Sequence, residues 1–434
     1  MSTEITNCSV NGVSRRSFLR TLGAASAAAA ALPAGAAFAQ QQVAAASPAP
    51  QAQAAARRGF GAAGGSDMGE TRILDPNTVI ISSNENPLGP ASSSLDAIMK
   101  TASMGGRYHQ EKAAQATAAF NDIYGLKRGY SALGPGSGGL LDLALMSNIG
   151  PDKPLVMGDP SYEQGTRAAG TMKAPLFSVK LTPTYAHDVK AMLAAHPSPG
   201  AYYIVNPNNP TGTMTPRADI LWLIQNKPKG SVVIIDEAYF HFSEDESMLD
   251  QVAADQDVIV MRTFSKIYGM AGLRAGFAAA RPDILARFST VAPPARSLAS
   301  ISITSAAAAH AGLMDKDLIP TRRKINADNR SETLEFLTKK GYSIIPGSKA
   351  NFFMVDVKRP GHEFQQAMMK ENVAIGRTWA ALPTYVRVTV GTKDEMTKFQ
   401  TAFIKCMDMT PSTAPTTAEL YIPTHHIPSE LYRG

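Results

Sequence analysis

The sequence has 434 residues, 44% of them hydrophobic and 18% charged, so it is long and apolar enough to bury a large core. Its formal net charge of +6 is mild and spread along the chain, and no long basic run follows Arg58. This pattern excludes nucleic acid as an expected partner.

The N-terminus has the order of a secretory signal: a charged segment, an alanine-rich apolar run and the small-x-small site Ala37-Phe38-Ala39. This order predicts a signal peptide over residues 1–39, and Arg15-Arg16 followed by Phe-Leu resembles a twin-arginine signal. The alternative is an alanine-rich leader on a cytosolic protein. The signal predicts a periplasmic protein, exported already folded by the twin-arginine machinery. Its removal takes away Cys8 and leaves Cys406 without a disulfide partner.

Two further segments lack the composition of a folded core. Residues 40–70 are rich in Ala, Gln, Gly and Pro and are predicted to be a disordered linker. Residues 410–434 are predicted to be a tail. Its pair His425-His426 could form half of a metal site, but no Cys or carboxylate stands at ligand spacing. A solvated tail is therefore preferred, and no metal site is predicted.

Between residues 71 and 409, short apolar runs end in polar or glycine-rich loops, and helical patterns follow them. The runs are PLVMGDPSYE, AYYIVNPNNPTG, SVVIIDEAYF and DVIVMRTFSK. Apolar strands without alternation indicate a sheet covered on both faces, which predicts an α/β fold with a doubly wound, mostly parallel sheet. Such sheets bind ligands beyond the carboxyl ends of their strands.

The first loops in chain order offer groups for a flat, anionic ligand. The glycine-rich loop at Ser137 and Gly138 precedes a helical pattern, so its backbone N–H groups could bind an anion, although glycine loops are common. Tyr162 follows a strand, where its ring could stack on a ligand. Asn209 could offer an amide to a ligand hydroxyl, and the alternative there is a plain turn.

The later strands end in charged residues. Asp236 follows a buried strand directly and could hold a ring nitrogen protonated, or it could cap a helix. Lys266 follows the next strand, where desolvation would lower its pKa and make it a nucleophile toward a carbonyl; the alternative is a surface lysine. Arg274 and Ser265 suit a phosphate. Together these groups fit one ligand, pyridoxal phosphate, whose mark is a lysine Schiff base with an acidic partner for the pyridine nitrogen.

The series SSNENPLGP, RYHQ, NPNNPTG, DEAYFHF and TFSKIYGMAGLRAG resembles the motifs of class I/II aminotransferases of fold type I, the histidinol-phosphate aminotransferases in particular. The resemblance runs from about Ile80 to Gly391. It implies an N-terminal arm (71–100), a large cofactor domain (101–320) and a smaller α+β C-terminal domain (321–409). It also implies a homodimer.

The resemblance implies roles for individual residues as well. Lys266 would bind the cofactor covalently and later move the substrate proton, and Asp236 would keep the pyridine nitrogen protonated. Arg387 and Asn86 would bind substrate, although Arg387 could also be an ordinary strand arginine. The remaining cofactor ligands would be Asn209 and Tyr239 at the ring hydroxyl, Tyr162 on the ring face, Ser137, Gly138, Ser265 and Arg274 at the phosphate, and Tyr108 from the neighbouring subunit.

Two departures from the family pattern affect these expectations. The family loop carries acidic residues where this chain has Gly138 and Gly139, which changes the anion site but keeps its amides. Histidine biosynthesis is cytoplasmic, so an exported member is expected to act on another substrate. The preferred function is ping-pong transfer of an amino group between an amino acid, or an amine like one, and a 2-oxo acid. A decarboxylase or lyase of the same fold is the alternative, and a non-catalytic periplasmic binding protein is a weaker one.

Overall fold

The computed structural model describes residues 75–291 and 301–409. The predicted signal peptide, the linker over 40–70 and the tail with His425-His426 lie outside the described residues. Within the two described ranges, no helix combines the length and the apolar character needed to cross a membrane.

A seven-stranded sheet dominates the fold, in the order β2-β8-β7-β6-β5-β3-β4. The contiguous strands from β4 to β7 are parallel, and β8 is antiparallel to both of its neighbours. The predicted doubly wound, mostly parallel sheet is therefore confirmed. The strands of this sheet are β2 Ser131–Gly134, β3 Leu155–Asp159, β4 Leu176–Lys180, β5 Ala201–Val205, β6 Val232–Asp236, β7 Val258–Thr263 and β8 Gly276–Ala279.

The central strands are apolar throughout because both faces of the sheet are covered. Successive residues of a strand point to opposite faces. In β5, Tyr202 and Ile204 belong to one hydrophobic core, while Tyr203 and Val205 belong to a second. The helices that accompany the sheet are α1 Ser92–Ala102, α2 Gln110–Tyr124, α3 Ser137–Met146, α4 Gln164–Met172, α5 Val189–Ala194, α6 Arg217–Asn226, α7 Leu249–Ala253, α8 Pro282–Ala286, α9 Phe288–Val291 and α10 Ile303–Met314.

A third hydrophobic core joins the two ends of the described chain. The short strand β1 (Val79–Ile81) pairs in parallel with β10 (Val373–Ile375), and β9 (Phe352–Asp356) pairs antiparallel with β11 (Tyr385–Thr389). Helices α11 (Leu318–Lys339), α12 (Gly361–Lys370) and α13 (Lys393–Asp408) complete this region. The N-terminal segment is thus built into the C-terminal core. The predicted boundaries of the arm and the two domains stay predictions.

Candidate active site

Four predicted site residues follow neighbouring strands of the large sheet at the same edge. Tyr162 comes after β3, Asn209 after β5, Asp236 ends β6 and Lys266 comes after β7. Since β3, β5, β6 and β7 are consecutive and parallel, their carboxyl ends meet at one edge. The site lies there.

Asp236 is buried at the end of β6 without a cation bonded to it among the described residues. Its two oxygens accept hydrogen bonds from the Tyr203 hydroxyl and from the Ala238 N–H, each over 3.1 Å. Burial raises the pKa of its carboxyl to about 6, and these hydrogen bonds oppose part of that rise. Asp236 does not cap a helix, because the next helical turn, Phe240–Phe242, begins later. A protonated ring nitrogen would supply the positive partner that this carboxylate lacks.

Lys266 is half-buried, and its Nζ donates to the carbonyl oxygen of Ser83 over 3.3 Å. The ammonium also lies 5.4 Å from the centre of the Tyr239 ring. Desolvation, aided by the charge of Arg387, lowers the pKa of Lys266 to about 8. The lysine is therefore turned into the site, and a substantial fraction of it is neutral near physiological pH, as a nucleophile or a base requires.

Tyr239 and Asn209 stand where the ring hydroxyl of a bound cofactor is expected. The Tyr239 hydroxyl accepts a hydrogen bond from Asn84 Nδ2 over 3.0 Å, which leaves its own proton available. Asn209 is buried, and its side-chain oxygen accepts from Arg387 Nη1 over 2.7 Å. Its amide nitrogen remains as the donor toward a ligand.

Arg387 lies on β11 and is 7% exposed. Besides Asn209, its guanidinium donates from Nη2 to the carbonyl oxygen of Ser82 over 2.8 Å and rests on the rings of Phe352 and Trp379. Its Nε is buried and has no partner within the described structure. Burial lowers the pKa of Arg387 to about 10. This fixed and incompletely bonded fork suits a carboxylate or a phosphate.

The predicted phosphate site forms where α3 begins. Gly136 has φ +87°, and a Cβ atom at this position would collide with the Arg274 guanidinium, so the loop and the arginine are in close contact. Arg274 Nη1 donates to Ser265 Oγ over 3.4 Å. These groups bring the first amides of α3, a hydroxyl and a guanidinium together, the donor set that a phosphate binds.

Two predicted site residues, Tyr108 and Asn86, are not seen in their expected roles within the described chain. Tyr108 is 93% exposed, so it does not line the site formed by its own chain. The Asn86 amide bonds backbone groups at both ends: Nδ2 donates to Ile267 O, and Oδ1 accepts from Leu88 N–H, each over 3.1 Å. The roles of Tyr108 toward a neighbouring subunit and of Asn86 toward substrate stay predictions.

Sequence reasoning missed several residues that support the site. Asn84 has φ +54° and links Tyr239 to Thr389, whose hydroxyl donates to Asn84 Oδ1 over 3.1 Å. Gln164 holds the Gly138 carbonyl with a 2.5 Å hydrogen bond. Tyr203 was detectable, because a tyrosine in a buried aliphatic strand needs a partner for its hydroxyl. A further group, Glu163, Arg377 and Trp379, borders Arg387.

The residues present fit pyridoxal phosphate. A buried acid without a cation, a lysine of lowered pKa and a phosphate site built on Gly136 and Arg274 correspond to the ring nitrogen, the aldehyde and the phosphate. Fold and site together define a pyridoxal-phosphate-dependent enzyme of fold type I.

Comparison with known proteins places the chain within this class. Residues 76–403 match the family Aminotransferase class I and II, and the chain belongs to that family. It is 32% identical over 330 residues to histidinol-phosphate aminotransferase 1 of Nitrosococcus oceani, covering 74% of this chain and 86% of that one. It is 31% identical over 326 residues to the histidinol-phosphate aminotransferase of Symbiobacterium thermophilum, covering 74% and 88%.

Among solved structures, the fold is similar to histidinol-phosphate aminotransferase from Sinorhizobium meliloti in complex with pyridoxal-5'-phosphate. The TM-score is 0.68 and the identity 24%, with 76% of this chain and 90% of that one covered. Its membership of the class I and II aminotransferases makes the protein an aminotransferase that uses pyridoxal phosphate. This was the function preferred from the sequence over a decarboxylase, a lyase or a binding protein.

Proposed function

We propose that this aminotransferase is exported to the periplasm by the twin-arginine route. There it moves an amino group between an amino acid, or an amine like one, and a 2-oxo acid. The observation that carries the catalytic part is that Lys266 and Asp236 lie at one edge of the large sheet, where Arg387 of β11 bonds Asn209. The export part rests on the sequence of residues 1–39.

Pyridoxal phosphate, when bound, supplies an aldehyde and an electron-withdrawing ring. The chain's own residues prepare the reaction around it. Asp236 offers a carboxylate to the ring nitrogen, and burial makes that carboxylate favour a protonated partner. Arg387 binds the anionic group of the substrate. This fixes the substrate's Cα near Lys266 Nζ. The lysine takes up a proton from the Cα of the donor and, in the second half-reaction, delivers a proton to the Cα of the acceptor. Lys266 suits both directions because its pKa is close to 8.

The test is a half-reaction. Full-length holoenzyme is mixed with single amines, and the visible absorbance of the bound cofactor is followed. The panel contains neutral, acidic and basic amino acids, and also histidinol phosphate, because the relatives carry that name and Arg387 could accept its phosphate. Loss of the band with one donor and its return with a 2-oxo acid support the proposal. Carbon dioxide release without conversion to the amine form of the cofactor would overturn it.

Export is tested separately by cell fractionation of a bacterium that expresses the chain with its own N-terminus. The wild type is expected in the periplasm, and the variant with Arg15→Lys and Arg16→Lys in the cytoplasm. A matched control replaces Arg57 and Arg58, the other paired arginines of the N-terminal part, by lysine and should leave export unchanged. Cytoplasmic location of the wild type would overturn this part of the proposal.

We also propose a homodimer in which Tyr108 reaches the partner's cofactor site. Tyr108 is highly exposed, and so are the apolar Leu95 and Met99 on α1. Their exposure supports a subunit interface that would cover these residues. Sedimentation of the holoenzyme should give a dimer, and Tyr108→Phe should weaken cofactor binding without changing the dimer. A monomer, or unchanged cofactor affinity in the variant, would contradict this assignment.

A further inference from the structure

An ion pair borders the substrate-binding arginine. Glu163, the residue after the predicted ring-stacking Tyr162, accepts a hydrogen-bonded salt bridge from Arg377 Nη2. The pair joins the loop after β3 to the segment after β10, so residues 214 positions apart in sequence meet here. Both side chains remain accessible, Arg377 at 50% and Glu163 at 31%.

Trp379 places this pair beside Arg387. The Arg377 guanidinium carbon lies 4.9 Å from the centre of the Trp379 ring, and that of Arg387 lies 5.2 Å from the same ring. In addition, Gly376 N–H donates to the carbonyl oxygen of Arg387 over 2.8 Å, which fixes the Arg377 segment against β11. The two arginines therefore share one wall of the site.

Their charges are not equivalent. Arg387 keeps a buried nitrogen without a partner, whereas Arg377 is already neutralised by Glu163. After burial and Tyr239, the next influences on the pKa of Arg387 are Arg377, which lowers it, and Glu163, which raises it. A substrate with one anionic group needs only Arg387. A substrate with a second anionic group would have to compete with the Glu163 carboxylate for Arg377 and would be repelled by that carboxylate.

We infer that Glu163 is a specificity-determining residue: by occupying Arg377, it makes the site favour amino donors and acceptors with one anionic group over those with two. The preferred substrates are therefore monocarboxylic amino acids and their 2-oxo acids, and dicarboxylic ones are disfavoured. This inference rests on the proposed function, because it assigns the substrate class to the same site.

The test compares binding of two small acids to full-length holoenzyme by calorimetry. Succinate has two carboxylates and butyrate has one on a chain of equal length. In Glu163→Gln, which frees Arg377, the ratio of succinate to butyrate affinity should rise about tenfold. Adding Arg377→Gln to that variant should abolish the gain, because the freed cation is its source. Glu371→Gln is the matched control: its carboxylate pairs with Lys405 at the opposite end of β10, and the ratio should stay at the wild-type value.

The half-reaction is then measured with aspartate and 2-aminobutyrate. Glu163→Gln should change the ratio of their KM values and leave the ratio of their kcat values unchanged. An unchanged affinity ratio in Glu163→Gln overturns the inference, as does a gain that survives the removal of Arg377. If no amine converts the cofactor in any variant, the proposed function fails, while the affinity ratios still decide the role of Glu163.

Discussion

Arg387 Nη1 lies 2.7 Å from the side-chain oxygen of Asn209, and the two residues are 178 positions apart in sequence. One belongs to β11 beside the third core, and the other to the loop after β5 of the large sheet. Both are buried. The group expected to bind substrate and the group expected to hold the cofactor ring are thus joined by one hydrogen bond.

This link predicts that the two residues act together. Arg387→Lys removes the planar fork and should lower kcat/KM by roughly 30-fold to 100-fold, about 2–3 kcal/mol. Asn209→Ala should lower it by about tenfold, and the double variant should lose less than the sum by about 1 kcal/mol. The measurement is a double-mutant cycle on kcat/KM. Arg287→Lys, at a half-exposed arginine that bonds Asn148 and Asp283 and none of the site residues, serves as the control. Strict additivity would contradict the coupling.

Asp236→Asn should stabilise the cofactor-free protein in a pH-dependent way. The folded-state pKa of about 6 lies above the ordinary value of 3.8. Below pH 3.8 the carboxyl is protonated in both the folded and the unfolded state, so its burial does not destabilise the wild type. The wild type loses stability as the pH rises from there through 6. Since asparagine does not ionise, the advantage of the variant should grow by about 1 kcal/mol between pH 5 and pH 8. Urea unfolding midpoints at the two pH values measure it.

The control for that experiment is Asp283→Asn. A hydrogen bond from Arg281 lowers the pKa of Asp283, so this carboxylate is ionised throughout the range from pH 5 to pH 8, and the substitution should destabilise the protein equally at both pH values. If Asp236→Asn behaves in the same direction as Asp283→Asn, the assignment of an uncompensated buried carboxylate is wrong.

The pKa of Lys266 predicts how fast the cofactor-free protein captures pyridoxal phosphate. Its amine is neutral above about pH 8, well below the ordinary 10.5. The rate of covalent capture should therefore rise between pH 7 and pH 8 and level off near pH 9. Stopped-flow absorbance measures this rate. A rate that keeps rising beyond pH 10 would indicate an ordinary solvated lysine.

Gly136→Ala should weaken cofactor binding. The new Cβ would collide with the Arg274 guanidinium, and φ +87° is unfavourable for alanine. Displacing Arg274 from the phosphate should raise the dissociation constant about tenfold to a hundredfold. Gly139→Ala is the matched control, because a Cβ there meets no atom within 4 Å. Equal effects of the two substitutions, measured by equilibrium dialysis, would contradict the proposed phosphate site.

The sequence was most informative where burial leaves a simple pattern. Strands β5, β6 and β7 are covered on both faces, so their apolar runs and the polar residues after them, such as Asp236 and Lys266, were predictable. Arg387 needed the resemblance to a family, because it lies on β11, outside the large sheet. Tyr239, three residues after β6, was likewise assigned only from that resemblance.

The supporting residues depend on contacts that no local pattern reveals. Strands β1 and β10 have three residues each, too few for a periodic signal, and they exist because Val79 pairs with Val373 across the chain. Asn84, which bonds Tyr239, comes three residues after β1, and Arg377, which pairs with Glu163, comes two residues after β10. The roles of these residues follow from the tertiary structure.

We expect Lys266 to hold the cofactor covalently, and chemical mapping of the reduced holoenzyme identifies the residue that does so. Holoenzyme is reduced with borohydride, digested and analysed by mass spectrometry, with Lys266→Arg treated in parallel. We predict one phosphopyridoxyl adduct, on the peptide that contains Lys266, and none in the variant. An adduct on another lysine, or an equally labelled variant, would contradict this account of the site.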